Sequence, residues 1–315
     1  MGRLIFVPQF PTRLRYQETW FEEFPKQFKK EFDEVIVLGD NYLKQFEDPI
    51  RSSGMFAPIE NSIYFEENQI IDFLKLKLYN DDTLFLSDLS FPGLFANILY
   101  HKPIKNSFAY CHATSLNRFD YFQPVRKLKY SCELSHSKLF KKIFIGSYYH
   151  QRKLVNKNRK FWYNTKVIGL PIPPYETYRE KKYYDIISVA RPNPQKITKS
   201  IEKEVEKDFS KIIRIKCNTW EQYYKFLSQA KILLITSKED TFNYSIMEAV
   251  MNGTVVLAPN RLAFPELLPR EFLYDNYDEL AVKIWQNLKD NKPLEKLLCQ
   301  DRCEDFYKNI ISEMI

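Results

Sequence analysis

Glycine is scarce in this chain of 315 residues, which holds only 7. Average usage of about 7% would supply roughly 22. A Gly-rich dinucleotide fingerprint and a Walker-type loop both need closely spaced glycines, and neither pattern occurs. The chain also lacks an uninterrupted apolar run of the ~18–20 residues that a membrane-spanning helix needs. Met1 to Gln9 runs straight into a strand-like stretch. It shows none of the charged start, apolar run and small-residue cleavage site of a secretory leader. No repeat of roughly 20–50 residues is evident. The 5 cysteines, at 111, 132, 217, 299 and 303, are an odd number without a CxxC pair. That excludes a disulfide framework or zinc knuckle and leaves reduced thiols in a cytoplasmic protein as the expectation. The 4 histidines, 101, 112, 136 and 150, show neither HxxxH nor HExxH spacing, and no D-x-D triplet exists. Neither a metal nor a resident cofactor is therefore expected.

What is present is apolar and aromatic material for two sizeable cores. The chain is 44% hydrophobic and 16% aromatic, and its length suits about two domains. The net charge of +7 is concentrated. Residues 124–166 carry 12 Lys/Arg against one acid, Glu133, whereas the remainder holds 35 basic and 39 acidic side chains. Tyr130, Phe140, Phe144, Tyr148, Tyr149, Phe161, Trp162 and Tyr163 thread the basic segment. Cations beside planar rings suit a polyanion with stackable bases; a solvated face over core aromatics is the alternative reading.

Short apolar runs at 4–7, 35–38, 84–86, 107–111 and 143–145 predict strands. Amphipathic stretches at 19–30, 66–79 and 91–100 predict the helices between them. Trp20, Phe21, Phe24 and Phe28 give the first of these its face. The pattern restarts with strands at 185–189, 212–215, 232–235 and 255–257, and helices at 197–209, 219–229, 244–252, 277–290 and 293–312. Strands that are apolar throughout, alternating with helices, predict parallel sheets covered on both faces. The Pro-rich stretch 170–174 separates the two series. The expected fold class is thus α/β, with two Rossmann-like domains facing across a cleft.

The most informative segment is 237–253, SKEDTFNYSIMEAVMNG. A strand ends at Ser237, a turn follows, and a helix begins near Asn243 and stops at Gly253, a suitable C′ residue. Ile246, Met247, Val250 and Met251 share one arc of that helix, and Glu248 falls outside it. A helix start after a strand favours an anion, because unpaired N–H groups and the dipole both point at it. Asp240 and Glu248 flank that start. The segment resembles the E-x(7)-E signature of retaining GT-B glycosyltransferases, which reads roughly E-G-F-G-x-x-x-L-E-A-x-x-x-G. Asp240 takes the first acidic place and Glu248 the second; Phe242, Ala249 and Gly253 match. Thr241 and Asn243 stand where the family has glycines, and Glu239 is an out-of-register rival for the first acid. The resemblance implies that Asp240 contacts the transferred sugar as a catalytic residue. It also implies that Glu248 holds the nucleotide ribose, with Phe242, Asn243 and Tyr244 lining the donor site.

Residues 188–196, SVARPNPQK, resemble the family's V-G-R-x-x-x-x-K loop. Arg191 and Lys196 could hold a diphosphate from two sides and stabilise the departing nucleotide. Residues 259–269, PNRLAFPELLP, resemble the wording of tRNA-queuosine mannosyltransferases. In the N-terminal half, His112 closes a predicted strand, where GT-B enzymes often place a histidine that faces the donor sugar, and the resemblance implies that it is a second catalytic residue. Arg13, Arg15, Tyr16 and Asp88, together with Lys141, Lys142, Arg152 and Lys153 of the basic segment, are the candidates for binding the acceptor.

The resemblance implies three segments: an acceptor-binding domain at 1–168, a nucleotide-sugar domain at 169–295, and a last helix, 296–315, packing back on the first domain. It implies a retaining transfer from a UDP- or GDP-linked sugar to a hydroxyl, without metal. The basic aromatic segment favours an acceptor base in DNA or tRNA, hydroxymethylated or hypermodified. A glycan or lipid-linked acceptor, or a non-catalytic nucleotide-sugar or nucleic-acid binding protein, are the rivals. Oligomeric state is not encoded in these patterns.

Overall fold

The computed structural model describes residues 2–13, 15–44, 59–119, 123–160, 162–190 and 195–315. The chain forms two compact units. Unit 1 is Met1–Gly146, His150–Ile168 and Asp305–Ile315; unit 2 is Ser147–Tyr149 and Gly169–Glu304. In chain order, β1 (Arg3–Val7), α1 (Tyr16–Phe28), β2 (Glu34–Val37), α2 (Asp40–Leu43), α3 (Ile59–Lys75), β3 (Thr83–Leu86), β4 (Asn106–Cys111), α4 (Arg126–His136), β5 (Lys142–Ile145), α5 (Tyr148–Asn158) and β6 (Thr165–Val167) come first. Then follow β7 (Tyr184–Ile187), α6 (Lys199–Asp208), α7 (Trp220–Ser228), β8 (Ala230–Leu234), α8 (Tyr244–Met251), β9 (Val255–Pro259), β10 (Leu273–Tyr274), α9 (Tyr277–Asp290) and α10 (Gln300–Glu304). The last helix, α11 (Phe306–Met314), belongs to unit 1.

Unit 1 is built on a six-stranded sheet in the order β2-β1-β3-β4-β5-β6, and every pairing is parallel. Its central strands are buried along their length, as the unbroken apolar runs require. The chain leaves β1 toward β2 and returns on the other side to β3. The carboxyl ends of β1 and β3 therefore flank the topological switch point, where open α/β sheets place ligands. Helix α1 buries Trp20, Phe24 and Phe28, spaced four apart, one helical turn each. Phe24 meets Phe6 at 5.5 Å and Phe85 at 5.0 Å between ring centroids. Full burial of each such ring is worth roughly 1.5–3 kcal/mol. Helix α11 joins this aromatic cluster: Phe306 lies 6.0 Å from Trp20, and Tyr307 lies 5.2 Å from Phe24. Its Glu313 pairs with Lys166 at 2.7 Å and Lys142 at 3.3 Å.

Unit 2 has a four-stranded parallel sheet in the order β10-β9-β8-β7. The strand expected at 212–215 is not a regular strand. Only Ile213 bridges, to Ile187, and the chain then diverges, leaving Ile215 exposed. The helix expected at 293–312 is also broken. Asn291 ends α9 in the left-handed region at φ 42°, residues 291–299 are not helical, and α10 and α11 are separate turns of chain. Around Phe91–Tyr100 only a 3-10 segment, Phe95–Tyr100, forms. The helix expected at 66–79 starts earlier and stops earlier, as α3.

Helix α8 ends as its sequence predicts. Gly253 sits at φ 67°. Thr254 N donates to Ala249 O at 2.9 Å and Gly253 N to Val250 O at 3.0 Å. These two bonds make a Schellman close, which needs a residue that tolerates a positive φ.

Candidate functional site around the start of helix α8

Two loops of unit 2 are fastened side by side beyond the carboxyl ends of β7 and β8. Gln195 O accepts from Lys238 N at 2.8 Å and from Glu239 N at 3.3 Å. Thr198 adds two more bonds to Thr236: its N–H donates to Oγ1 at 3.1 Å, and its hydroxyl donates to the carbonyl at 2.6 Å. This lacing brings Lys196 to Asp240, with Nζ 2.6 Å from Oδ2. Phe242 is buried and anchors the turn from beneath. Arg191 lies outside the described residues.

Asn243 precedes α8 with φ 105° and ψ 94°, a backbone region that strains most L-residues and suits the glycine found there in the resembled family. Its side chain does not cap the helix. Nδ2 donates instead to Asp240 Oδ2 at 2.8 Å. Lys196 and Asn243 thus hold the same carboxylate oxygen, and Asp240 is fixed in orientation by two donors. Tyr244 forms the first position of α8 and is partly exposed. The helix therefore begins without a side-chain cap, beside a lysine and an oriented carboxylate.

Glu248 lies one turn into α8. Its place outside the apolar arc suggested that it need not be buried, yet it is 5% exposed. The cover comes from α7 rather than from the sheet. Tyr223 OH donates to Oε2 at 2.8 Å and Tyr224 OH reaches Oε1 at 3.5 Å. Burial pushes its pKa up to about 7, and the two phenol hydrogen bonds oppose the shift. Both phenols are raised, chiefly by burial and then by the glutamate charge. Trp220, at the start of α7, stacks on Tyr175 at 4.5 Å and extends the aromatic wall. Nothing in the sequence pointed to Tyr223 and Tyr224, because a Tyr-Tyr pair on an amphipathic helix reads as ordinary core.

Glu266 belongs to the 264–266 FPE turn, and its sequence neighbours give no sign of its partners. It accepts from Tyr148 N at 2.7 Å and Tyr149 N at 2.5 Å, so a carboxylate sits on the first turn of α5, where the dipole favours it. Ser147 Oγ donates to Thr241 O at 2.5 Å. Through these bonds residues 147–149 belong to the same unit as the α8 turn.

In unit 1, His112, Tyr16 and Asp88 gather at the carboxyl edge of the sheet. The His112 ring stacks on Tyr16 at 3.9 Å. Asp88, just past β3, accepts from Gln9 Nε2 at 2.8 Å, Ser90 N at 3.0 Å and His112 N at 3.4 Å. Burial raises its pKa to about 8 against those hydrogen bonds. Arg13 is exposed and Arg15, immediately before α1, is half-buried. The basic candidates do not form one group. Lys141 and Lys142 stand at the amino end of β5, the edge opposite His112, and Lys142 is paired with Glu313. Arg152 and Lys153 lie in the first half of α5, and Lys153 Nζ bonds Asn117 Oδ1 at 2.7 Å beyond β4. A strand carries the chain about 3.3 Å per residue across the sheet, so neighbours in sequence end on opposite edges.

No protein-family model matches the chain. Among curated proteins it is 29% identical over 99 residues to a tRNA-queuosine alpha-mannosyltransferase of Drosophila melanogaster; the match spans 31% of this chain and 26% of that protein. Among solved structures it resembles sucrose-phosphate synthase from Thermosynechococcus elongatus, with TM-score 0.66 and 14% identity over 100% of this chain and 97% of that one. It also resembles Anabaena HepE in complex with UDP and glucose, at TM-score 0.60 and 13% identity over 99% and 95% of the two chains. With a TarM variant of S. aureus the TM-score is 0.53 at 14% identity, over 79% of this chain and 56% of that one. The fold is that of the GT-B glycosyltransferases.

Proposed function

We propose that the protein is a GT-B glycosyltransferase that moves a sugar from a nucleotide diphosphate sugar to a hydroxyl on a modified base of DNA or tRNA, with retention at the anomeric carbon. The observation that carries the reading is the convergence of Lys196, Asp240 and Asn243 at the start of α8, with Glu248 one turn further along the same helix, in a fold shared with HepE bound to UDP and glucose. In this reading the donor diphosphate lies against Lys196 and the uncapped first turn of α8. Both stabilise charge that grows as the glycosidic C–O bond breaks. Glu248 receives the ribose hydroxyls, and Asp240 holds the sugar in register with the acceptor. The acceptor oxygen bonds to the anomeric carbon on the face the diphosphate leaves, and its proton passes to the departing phosphate oxygen. No metal is invoked.

The acceptor half of the reading draws on two features. One is the partial likeness to an enzyme whose name specifies a modified tRNA base. The other is the concentration of 12 bases against one acid at 124–166. The five cysteines are all free thiols, which suits a reducing compartment such as the cytoplasm. Among the described residues no helix is long and apolar enough to cross a membrane.

The test is incubation with UDP- and GDP-sugars, alone and with hydroxymethylated DNA or bulk tRNA, read by nucleotide release and by mass. A hexose or pentose increment on the nucleic acid is the expected result. Transfer only to a glycan would replace the acceptor. Absence of both nucleotide binding and donor hydrolysis would refute the enzyme. Asp240→Ala is expected to abolish transfer while nucleotide binding persists.

A further inference from the structure

Strands β7, β8 and β9 lie side by side, and the loops beyond their carboxyl ends are neighbours too. The middle loop leads into α8. The loop after β7 supplies Lys196, whose charge is already answered by Asp240 at 2.6 Å. That pair is close to neutral, so by itself it offers a diphosphate little net attraction. The loop after β9 supplies a cation from the other side. Arg261 Nη2 donates to Ser237 O at 3.2 Å, where the chain turns from β8 toward α8. The side chain is exposed, and among the described residues no carboxylate pairs with it. A guanidinium carries five N–H donors in a planar fork. The carbonyl of Ser237 orients this fork and leaves most of its donors unused.

The backbone sets where the fork stands. Asn260 N donates to Tyr274 O at 2.8 Å, and Arg261 N donates to Pro259 O at 2.7 Å, so the chain turns at once on leaving β9. Leu262 follows at φ 61°, a left-handed conformation that is costly for a leucine. Ala263 and Phe264 are fully buried and root the loop behind it. Strain of this kind persists where the surroundings enforce it, and it gathers at binding sites. Tyr149 links Arg261 to the α8 turn. Its N–H is held by Glu266. Burial raises its phenol first, Glu239 and Asp240 raise it further, and Arg261 lowers it. The charges of Asp240 and Arg261 therefore act on one and the same hydroxyl.

We propose that Arg261 is a donor-binding residue that holds the outer phosphate of the nucleoside diphosphate from the β9 side of the α8 turn, opposite Lys196 on the β7 side. Its planar fork suits two phosphate oxygens at once. It supplies positive charge that no neighbouring acid cancels, where charge grows as the sugar leaves. The proposal rests on the donor reading given above and adds to it a residue from a third loop.

The experiment uses the full chain and isothermal titration with UDP and UMP, with GDP and GMP in parallel. Arg261→Ala is expected to weaken the diphosphate about 10- to 150-fold, the range for hydrogen bonds to a charged group. The monophosphate, which lacks the outer phosphate, is expected to lose less than about 3-fold, since it forgoes no such bond. Arg261→Lys is expected to recover part of the loss. Arg261→Gln, which keeps a donor for Ser237 O but no charge, is expected to recover little. Urea unfolding of each variant separates a lost contact from a lost fold. Unchanged diphosphate affinity in Arg261→Ala overturns the assignment. Equal losses for diphosphate and monophosphate overturn it too, as does a Gln variant that binds as well as the Lys variant. In each of these cases wild-type binding leaves the donor reading standing. A wild-type chain that binds neither UDP nor GDP removes the donor reading, and Arg261's role with it.

Discussion

Glu248 offers a prediction whose sign and size follow from its surroundings. Its folded-state pKa is about 7 against an ordinary 4.5, so the folded protein holds the proton more tightly than the unfolded chain does. Below pH 4.5 both states are protonated and the group costs nothing. As pH rises from 4.5 to 7 the unfolded chain ionises first, and stability falls; above about 7 the loss is complete. At ~1.4 kcal/mol per pH unit, the full loss is about 3 kcal/mol. Glu248→Gln keeps the shape and removes the charge. Its amide can accept from one of Tyr223 and Tyr224 and donate to the other, since a phenol oxygen does both. The variant is therefore expected to be more stable than wild type by about 3 kcal/mol at pH 9, and by much less at pH 5. Urea denaturation at pH 5, 7 and 9 measures the difference. A gap that does not change with pH, or a variant less stable than wild type at pH 9, would refute the burial argument. If Glu248 receives the ribose hydroxyls as proposed, the same substitution is expected to weaken nucleotide binding, because a neutral amide is a poorer acceptor for two hydroxyls. A functional carboxylate would then be kept at a cost in stability.

Four further outcomes are expected. UDP affinity of the wild type should fall about tenfold per pH unit below pH ~7, as Glu248 gains its proton, and isothermal titration at pH 5.5, 6.5 and 7.5 reads it. Asn243→Gly removes a strained φ but also a hydrogen bond to a charged group, so stability should change by less than ~1 kcal/mol. The rate of transfer should drop, since Asp240 loses one of its two holders; an unchanged rate would show that Asn243 does not orient it. Glu266→Ala strips the carboxylate from the first turn of α5 and should cost ~1 kcal/mol in thermal or urea unfolding, with Glu266→Gln intermediate. Glu313→Ala should cost under ~1 kcal/mol, and less in high salt, because its pairs with Lys142 and Lys166 are partly exposed.

The parallel sheets were legible because their strands are buried on both faces and so are written as unbroken apolar runs, as at 4–7 and 143–145. The segment 237–253 was legible because its turn, helix and glycine stop follow one another in the chain, and each acts on its immediate neighbours. The strand expected at 212–215 failed for the complementary reason. Its apolar residues fit a strand, but only Ile213 found a partner. The break between α10 and α11 was hidden by apolar spacing that suits one long helix as well as two short ones.

What the sequence determined by itself is local: the period of burial, the start and stop of α8, and the presence of acids and cations in one surplus or another. Only the tertiary structure decided which of them meet. It set Tyr223 and Tyr224 on Glu248, Lys196 on Asp240, and Glu133 under the loop that follows β4. It also sent Lys141 and Lys142 to the far edge of the sheet from Lys153. Periodicity records which side of an element faces the core. Pairings between distant residues depend on strand direction, register and helix packing, which no short stretch of sequence contains.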